Sequence, residues 1–598
     1  MKHLFTTLFA VISLFTFGQT HHNYEISFEN AVHHEATVTA TFSNLENKVL
    51  ELRMSRTSPG RYAIHEFAKN VFNVKAVDSK GNALPVTRPN PYQWNVGNHD
   101  GTVKITYTLF ANRGGGTYSQ VDETHAHLNI PATFMYARDY TQRPIKITFN
   151  VRTDLNWKVA TQLKSLGGNS YYAPNLHYFM DSPTEISNYS SRSFKVIDEG
   201  KEKTVKFVLH HNGTEAELDQ YFEKVKSTVL QQRAVYGELA DFDYGEYTFL
   251  ACYIPNASGD GMEHRNSTIV TSTRSLADGG MERNMGTVSH EFFHSWNVER
   301  IRPKTLEPFD YEEANMSGEL WFAEGFTSYY TNLILCRAGL LSQEDYVNGL
   351  DGGLNYVWNS PARAYFNPIQ MSYQAPFVDA ATSVDPVNRE NTFISYYTYG
   401  SVLGLALDLG LRNLEGNKNL DDYMKLVWQR YGKTEIPYTV RDLKQALTDY
   451  AGEAFSIQFF DISVFDSRMP NYKALFESVG VAFEQSNLDK AALGVYLDGD
   501  YKVSSNPFKG GAAYKANLEK GDEIISINGV AVDSTIKPSD LLLQFKPQQK
   551  VAVVFKRFGV QKETTLTFDA NTSYTTRLIE KVDKKTAQKR TEWLQARK

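Results

Sequence analysis

The spacing of apolar residues changes character near Asn212, and that change restricts the chain to an assembly of unlike domains. Ahead of it, from about Tyr24 to Tyr189, apolar and polar residues alternate in short runs. Ala36-Thr37-Val38-Thr39-Ala40-Thr41-Phe42, Thr102-Val103-Lys104-Ile105-Thr106-Tyr107 and Ile145-Lys146-Ile147-Thr148-Phe149-Asn150-Val151 are examples. A period of two sends successive side chains to opposite faces of a strand, and the Gly, Pro and Asn clusters between the runs supply turns. An N-terminal antiparallel β-sandwich over 19–195 is the natural reading. Beyond Asn212, Glu215 to Leu239 repeats at helical spacing, Tyr247 to Ile254 reads as a strand, Thr287 to Asn297 as a helix and Gly400 to Leu414 as a buried helix. Strand followed by helix, with helices dominating toward residue 470, predicts an α+β domain with a helical lobe over 196–484. Short strands return near Leu493 and mark a further module over 485–572. A basic, helix-prone tail over 573–598 reads as a solvated docking helix. At 598 residues the chain exceeds what one core can organise, in keeping with several domains.

Charge and composition exclude some functions. A formal net charge of −6 gives no whole-chain reason to expect a nucleic acid or an anionic membrane as partner. Lys2, the apolar stretch Leu4 to Phe17 and the small residues Thr16 and Gly18 predict a signal peptide over 1–18, cleaved after Gly18. That stretch is too short and too polar to span a bilayer, and no later segment reaches transmembrane length. The expectation is therefore a secreted or periplasmic protein, with no cysteine near the cleavage point to carry a lipid. Cys252 and Cys336 are the two cysteines, which rules out a disulfide scaffold and leaves one bond between them open. Without Cys-x-x-Cys spacing, neither reads as a zinc ligand.

The string His290-Glu291-Phe292-Phe293-His294 carries the chemistry. Four residues apart on a helix, the two imidazoles share a face and can reach one metal, with Glu291 beside the open coordination position as general base. Zinc needs a third protein ligand and leaves a fourth position for water. A metzincin would place a Gly and a third His soon afterwards, but Asn297 and Arg300 stand there. Downstream, Leu320-Trp321-Phe322-Ala323-Glu324-Gly325-Phe326-Thr327-Ser328-Tyr329-Tyr330 sets one carboxylate in an apolar run. A Glu so placed needs a partner, and zinc supplies one. Glu312, Glu313 and Glu319 compete for that role from polar surroundings. Thr327 and Ser328 stand where they could steady the site.

From His290 to Tyr330, including Trp296-Asn297-Val298, Arg300-Ile301-Arg302-Pro303 and Pro308-Phe309-Asp310-Tyr311, the chain resembles the glycyl aminopeptidase family. That family is a gluzincin group of zinc metallopeptidases with an N-terminal β-domain, a thermolysin-like catalytic domain and a C-terminal PDZ domain. The resemblance spans essentially the whole mature chain and is densest between Gly259 and Gly400. It implies that Gly261-Met262-Glu263-His264 is the substrate-end element, similar to Gly-x-Met-Glu-Asn, with Glu263 receiving the free α-amine of the substrate. A carboxylate fixed near the metal selects a cationic N-terminus and sets the register for removing one residue. Asp260 departs from the usual Gly and could alter the turn or add an anionic contact. The resemblance also implies an oxyanion donor within Ser395-Tyr396-Tyr397-Thr398-Tyr399-Gly400, similar to Tyr-x-Lys-Gly. Tyr397 aligns with the donor, Tyr396 is its rival, and Tyr399 replaces the Lys.

Gly511 to Gly529 resembles the core of bacterial PDZ domains, with a turn at Lys520-Gly521-Asp522 and a hairpin at Asn528-Gly529. Such domains take an extended C-terminus by strand addition, here at the loop Leu493-Gly494-Val495, although the module could equally only pack against the catalytic lobe. The expected activity is that of an aminopeptidase using one zinc ion on peptide or protein substrates, with small, Gly-like N-terminal residues suggested by the resemblance. A PDZ-assisted endopeptidase of envelope proteins and a non-catalytic peptide-binding scaffold are the rival readings.

Overall fold

The computed structural model describes residues 20–380 and 387–597, so the expected signal peptide over 1–18 lies outside the described residues. The alternating runs form the strands of the first domain. Its largest sheet has eight strands in the order Lys164–Gly167, Ser170–Ala173, Ile145–Asn150, His22–Ser27, Glu35–Phe42, Val103–Phe110, Val71–Val77 and Ala83–Leu84. Neighbours run antiparallel except His22–Ser27 and Ile145–Asn150, which pair in parallel with His22 opposite Ile145. Two four-stranded sheets share its core, where Ile26, Val38, Leu52, Ile105, Val121, Leu128 and Ile147 are all fully buried. The apolar half of each alternating run thus fills the space between sheets.

A second sheet of five strands carries the catalytic domain, in the order Ser190–Asp198, Lys201–His211, Glu246–Tyr253, Ser267–Ser272 and Asp260–His264. Its first strand starts at Ser190, ahead of the expected boundary at 196. An exposed-in, exposed-out alternation looks the same in either sheet, so period alone does not assign that strand to a domain. The helix Glu215–Tyr236 opens on a reciprocal cap, in which the Thr214 side chain accepts from the Glu217 backbone and Glu217 reaches back to the Thr214 N–H, and it ends at Gly237 with φ +87°. Helix Met285–Phe293 packs on the strands Asp260–His264 and Ser267–Ser272 and on helix Leu320–Arg337, which in turn lies against helix Tyr396–Leu411.

The last two helices cross where Gly325 meets Gly400. A Cβ on Gly400 would run into the carbonyl of Trp321 and the Cα of Gly325. Two glycines let the backbones touch, and that contact brings the first turn of Tyr396–Leu411 over Glu324. Shorter helices complete the lobe.

The C-terminal module has its own core of Leu493, Val503, Ala513, Ile524, Val553 and Leu566. Flanking strands Val481–Glu484 and Thr575–Leu578 pair with each other, so the chain enters and leaves the module side by side. Its loop at 506–509 rests on the catalytic lobe, where Asn391 donates to the Pro507 carbonyl at 2.9 Å and accepts from the Lys509 N–H at 2.7 Å. The final helix Lys584–Leu594 buries Trp593 completely, its indole N–H donating to the Tyr329 hydroxyl at 3.0 Å. It is docked through its end and by Lys589, which donates to Asn413 at 2.6 Å, while Lys584 and Lys585 are exposed. Cys252 and Cys336 are both free and buried. No helix among the described residues is long and apolar enough to cross a membrane.

Candidate active site

The helix Met285–Phe293 presents His290 and Glu291, and His294 caps its C-terminal end. Nε2 of His290 and Nε2 of His294 stand 3.1 Å apart, and Oε2 of Glu324 lies 3.5 and 3.2 Å from them. Hydrogen bonds on the far side of each ring fix its orientation. His294 donates through Nδ1 to the Asn297 carbonyl at 2.5 Å, and His290 Nδ1 faces Thr331 Oγ1 at 3.2 Å. Because the Thr331 hydroxyl itself donates to the Thr327 carbonyl at 2.9 Å, it accepts from His290. Both Nε2 lone pairs therefore aim at the same point, the arrangement that zinc-binding histidines adopt.

The surroundings of Glu324 suit a cation at that point. Its Oε1 accepts from the Tyr62 hydroxyl at 2.6 Å, while its Oε2, the oxygen facing the two imidazoles, is buried and has no hydrogen-bond partner. A buried carboxylate oxygen without a donor is costly, and two neutral imidazoles with one carboxylate form a donor set suited to zinc. Burial alone would raise the Glu324 carboxyl, but His294 and His290 outweigh it and hold the group well below the usual carboxylate range. Asn297 ties the helix that carries Glu324 to the two histidines by donating to the carbonyls of Phe322 and Ala323 at 3.2 and 3.0 Å and to Thr327 at 3.2 Å.

The competing glutamates are engaged elsewhere. Glu312 pairs with Arg53 and Arg138 at 3.4 and 3.2 Å, Glu313 is exposed, and Glu319 accepts from Ser317 at 2.7 Å. Glu319 is nonetheless buried, because it stands at the start of helix Leu320–Arg337 beneath the Val440 N–H.

Glu291 and Glu263 share a cleft of about 350 Å³ with Gly60, Arg61, Asp260, Gly261, His290, His294, Glu324, Ser395 and Tyr397. Glu263 comes from strand Asp260–His264 and is 6% exposed. Desolvation raises both carboxyls, that of Glu291 far more strongly, so each has an increased appetite for a proton or a cation. Gly261 is required by contact, since a Cβ there would collide with the Glu291 carboxylate. Met262 is 1% exposed, its sulfur lying against Gly60. His264, the last residue of the same element, is turned from the cleft and holds Asp181 of the N-terminal domain at 2.8 Å.

Among the three tyrosines, Tyr396 and Tyr399 are buried in the core and Tyr397 is half-buried along the cleft, its ring 5.9 Å from that of His290. Tyr396 lies against Tyr62 at 6.0 Å.

Sequence reasoning missed the loop Gly60-Arg61-Tyr62. Arg61 forms an ion pair with Asp260 and donates to the Gly261 carbonyl at 3.2 Å, so the unusual Asp260 is neutralised by a residue two hundred positions earlier. A Cβ on Gly60 would stand 2.9 Å from Glu263 Oε2. The one local signal is a Ser58-Pro59-Gly60 turn, which says nothing about where the turn points. Thr331 and Asn297, rather than Ser328, steady the histidines, and Thr327 supports both, its hydroxyl meeting Asn297 and its carbonyl accepting from Thr331.

In the C-terminal module, Gly494 takes φ +77°, and the Leu493 and Gly494 carbonyls accept from Ala513 and Phe508 at 2.8 and 2.9 Å. Val495 packs on the module's core.

Residues 23–188 match the Peptidase M61 N-terminal domain, residues 283–403 the M61 glycyl aminopeptidase family and residues 478–571 the PDZ domain. No curated protein matches the chain. An aminopeptidase N family protein from Idiomarina loihiensis has the same fold, with a TM-score of 0.83 at 22% identity over 96% of this chain and 100% of that one. An M1 zinc metallopeptidase from Deinococcus radiodurans gives a TM-score of 0.43 at 11% identity over 76% of this chain and 95% of its own. Yeast LTA4 hydrolase gives 0.43 at 16% over 77% and 70%.

Proposed function

The chain belongs to the M61 glycyl aminopeptidase family, and from that premise we propose that it is a zinc aminopeptidase whose ligands are His290, His294 and Glu324. The observation that carries this reading is the convergence of two Nε2 atoms and one unpartnered carboxylate oxygen within 3.1–3.5 Å, in a cleft that also holds Glu291 and the buried Glu263.

When bound, zinc supplies a Lewis acid that polarises a carbonyl and lowers the pKa of water. The chain's own residues do the rest. Glu291, its proton affinity raised by burial, takes the proton from the attacking water and returns it to the departing amine. Glu263 holds the substrate's α-ammonium, which offsets the cost of a carboxylate kept out of water and limits cleavage to the first residue. Tyr397, which lines the same cleft with its ring 5.9 Å from that of His290, is the proposed donor to the developing oxyanion. The placement of Glu263 inside the same cleft favours removal of terminal residues over internal cleavage.

The deciding experiment is a product-resolved digest of peptides with free and N-acetylated ends, with and without a chelator. Sequential loss of N-terminal residues from the free peptides alone, abolished by the chelator and restored by zinc, is the expected result. A series varying the first residue tests the preference for small, Gly-like ends. Internal cleavage of blocked peptides would overturn the assignment in favour of an endopeptidase.

Three further readings belong with it. Export through a signal peptide over 1–18 places the mature protein in the periplasm or outside the cell, and N-terminal sequencing of the isolated mature chain tests that. The limits 19–195, 196–484 and 485–572, with the first moved to 189 by the strand at Ser190, serve as domain boundaries for limited proteolysis. Leu493-Gly494-Val495 is proposed as the carboxylate loop for a C-terminal peptide, to be tested by titration with peptides carrying free and amidated C-termini.

A further inference from the structure

We infer that the chain holds a second metal ion, a structural zinc gripped by His125, His210, Cys252 and Glu185 where the N-terminal domain meets the catalytic domain. The four residues come from four strands in two sheets. His125 and Glu185 stand on the paired strands His125–Leu128 and Thr184–Ser187 of the N-terminal domain. His210 and Cys252 are direct partners across the parallel strands Lys201–His211 and Glu246–Tyr253 of the catalytic domain. Partnered residues on adjacent strands project from the same face, so each domain offers two side chains to one point. His125 is 0% exposed, Glu185 and Cys252 1%, and His210 7%.

The spacing is that of a coordination shell. Cys252 Sγ lies 3.7 Å from His125 Nδ1 and 3.4 Å from His210 Nδ1. Glu185 Oε1 lies 3.3 Å from His125 Nδ1 and 3.7 Å from His210 Nδ1. Three ligand atoms, one each from His125, His210 and Cys252, fall within 4.8 Å of one another. Zn–N and Zn–S bonds of about 2.0–2.1 and 2.3 Å put tetrahedral edges at roughly 3.3–3.6 Å. Hydrogen bonds between nitrogen and oxygen are shorter, at about 2.7–3.2 Å. The two nitrogen–oxygen contacts, at 3.3 and 3.7 Å, are longer than that, and all four contacts match tetrahedral edges and lie near the 3.1–3.5 Å spacing among His290, His294 and Glu324.

The chemistry closes as well. A thiolate and a carboxylate balance a divalent cation, and two imidazoles bind through Nδ1 as neutral ligands. Nε2 of His125 then carries its proton toward Gln120 Oε1 at 3.2 Å, and the second oxygen of Glu185 faces His127 Nδ1 at 3.0 Å. Partners of this kind orient zinc ligands. Sulfur and imidazole nitrogen together select zinc over magnesium or calcium. Four protein ligands leave no open position, which makes the ion structural.

Its place explains what it would hold. His127 Nε2 faces the Gly115 carbonyl at 3.3 Å, and the Gly116 N–H donates to Asp260 Oδ2 at 2.8 Å. Asp260 opens the strand that carries Gly261 and Glu263. The ion would thus clamp the N-terminal domain, source of Arg61 and Tyr62, onto the catalytic cleft.

The test uses the full-length protein after exchange with cobalt(II). A thiolate bound to cobalt gives a sulfur-to-metal charge-transfer band in the near ultraviolet, which a site of two histidines and a glutamate does not. We expect two metal equivalents per chain by mass spectrometry, the band in the wild type and in Cys336→Ser, and its loss with one equivalent in Cys252→Ser. The double variant His290→Ala/His294→Ala should be inactive yet keep one equivalent and the band, which separates this site from the catalytic one and needs no change near Cys252. A single equivalent at saturation with no thiolate band in the wild type overturns the inference.

Discussion

The hydroxyl of Tyr62 donates to Glu324 Oε1 at 2.6 Å, so a residue from the N-terminal third of the chain braces the carboxylate proposed as the third zinc ligand. The bond holds Oε2 toward the two histidines and leaves it no other role. Tyr62→Phe should therefore fold normally and bind zinc roughly 10- to 100-fold more weakly, the usual cost of losing such a partner. A chelator competition titration measures this directly. An unchanged zinc affinity would show that Glu324 is positioned by its helix alone.

Glu291→Gln keeps the shape of the side chain and removes the proposed base. We expect kcat/KM to fall by at least about 10²–10⁴, with zinc content unaltered. Metal loss in this variant would identify Glu291 as a ligand instead, a test sharpened by the proximity of Glu263, Glu291 and His294 to one another.

Much of this site was legible in the sequence because its parts are local. A four-residue spacing on one helix determines where His290 and His294 point, and an isolated carboxylate in an apolar run must find a cation, whatever the surrounding fold. The alternating strands and the return to short strands near Leu493 were equally local. What sequence could not supply were contacts between distant segments. The Arg61–Asp260 pair, the Tyr62–Glu324 bond and the cluster of His125, Glu185, His210 and Cys252 each join residues whose spacing carries no motif. Cys252 in particular was set aside for want of a Cys-x-x-Cys neighbour, whereas its neighbours in space are two histidines on two other strands. The strand at Ser190 was misassigned for the same reason, since alternation reports burial but not which sheet provides it.

Glu263→Gln tests the anchor for the substrate amine. A charge-assisted contact is worth about 1.5–3 kcal/mol, which corresponds to a loss of roughly 10- to 100-fold in kcat/KM for peptides with a free N-terminus. Peptides blocked at that end should be no worse substrates for the variant than for the wild type. Equal losses on both classes would mean that Glu263 shapes the cleft without reading the amine.

Glu299 gives the fold a pH dependence. Burial, with the Asp181 carboxylate beside it, carries the Glu299 carboxyl up to about 7 against the opposing pull of Arg302. An acid whose pKa is higher in the folded state binds more protons there, so its contribution to stability is complete below the ordinary value of 4.5 and is lost as pH rises through about 7. The loss is at most about 3 kcal/mol. Glu299→Gln should flatten the unfolding free energy between those two pH values, as followed by denaturant melts. A slope identical to that of the wild type would assign the dependence to other groups.

The crossing of Gly325 and Gly400 ties stability to catalysis, and paired substitutions separate the two. A Cβ at Gly400 meets backbone, the Trp321 carbonyl and the Gly325 Cα, which cannot rotate aside as a side chain would. Gly400→Ala must push helix Tyr396–Leu411 away from helix Leu320–Arg337. Overpacking of this kind costs about 1–3 kcal/mol. Because Tyr397 rides on the first helix and Glu324 sits beside the crossing on the second, the same shift displaces the proposed zinc ligand and the proposed oxyanion donor together. Displacements near 1 Å are enough to cost about 10²-fold in rate, so kcat should fall further than the thermal midpoint alone would suggest. Gly352→Ala is the matched control, lying inside helix Leu350–Trp358 with nothing within 4 Å of its added carbon. It should be neutral or stabilise by about 0.4–1 kcal/mol while leaving kcat unchanged. If Gly400→Ala melts like the wild type and retains full activity, the close approach of the two helices does not set the geometry of the site.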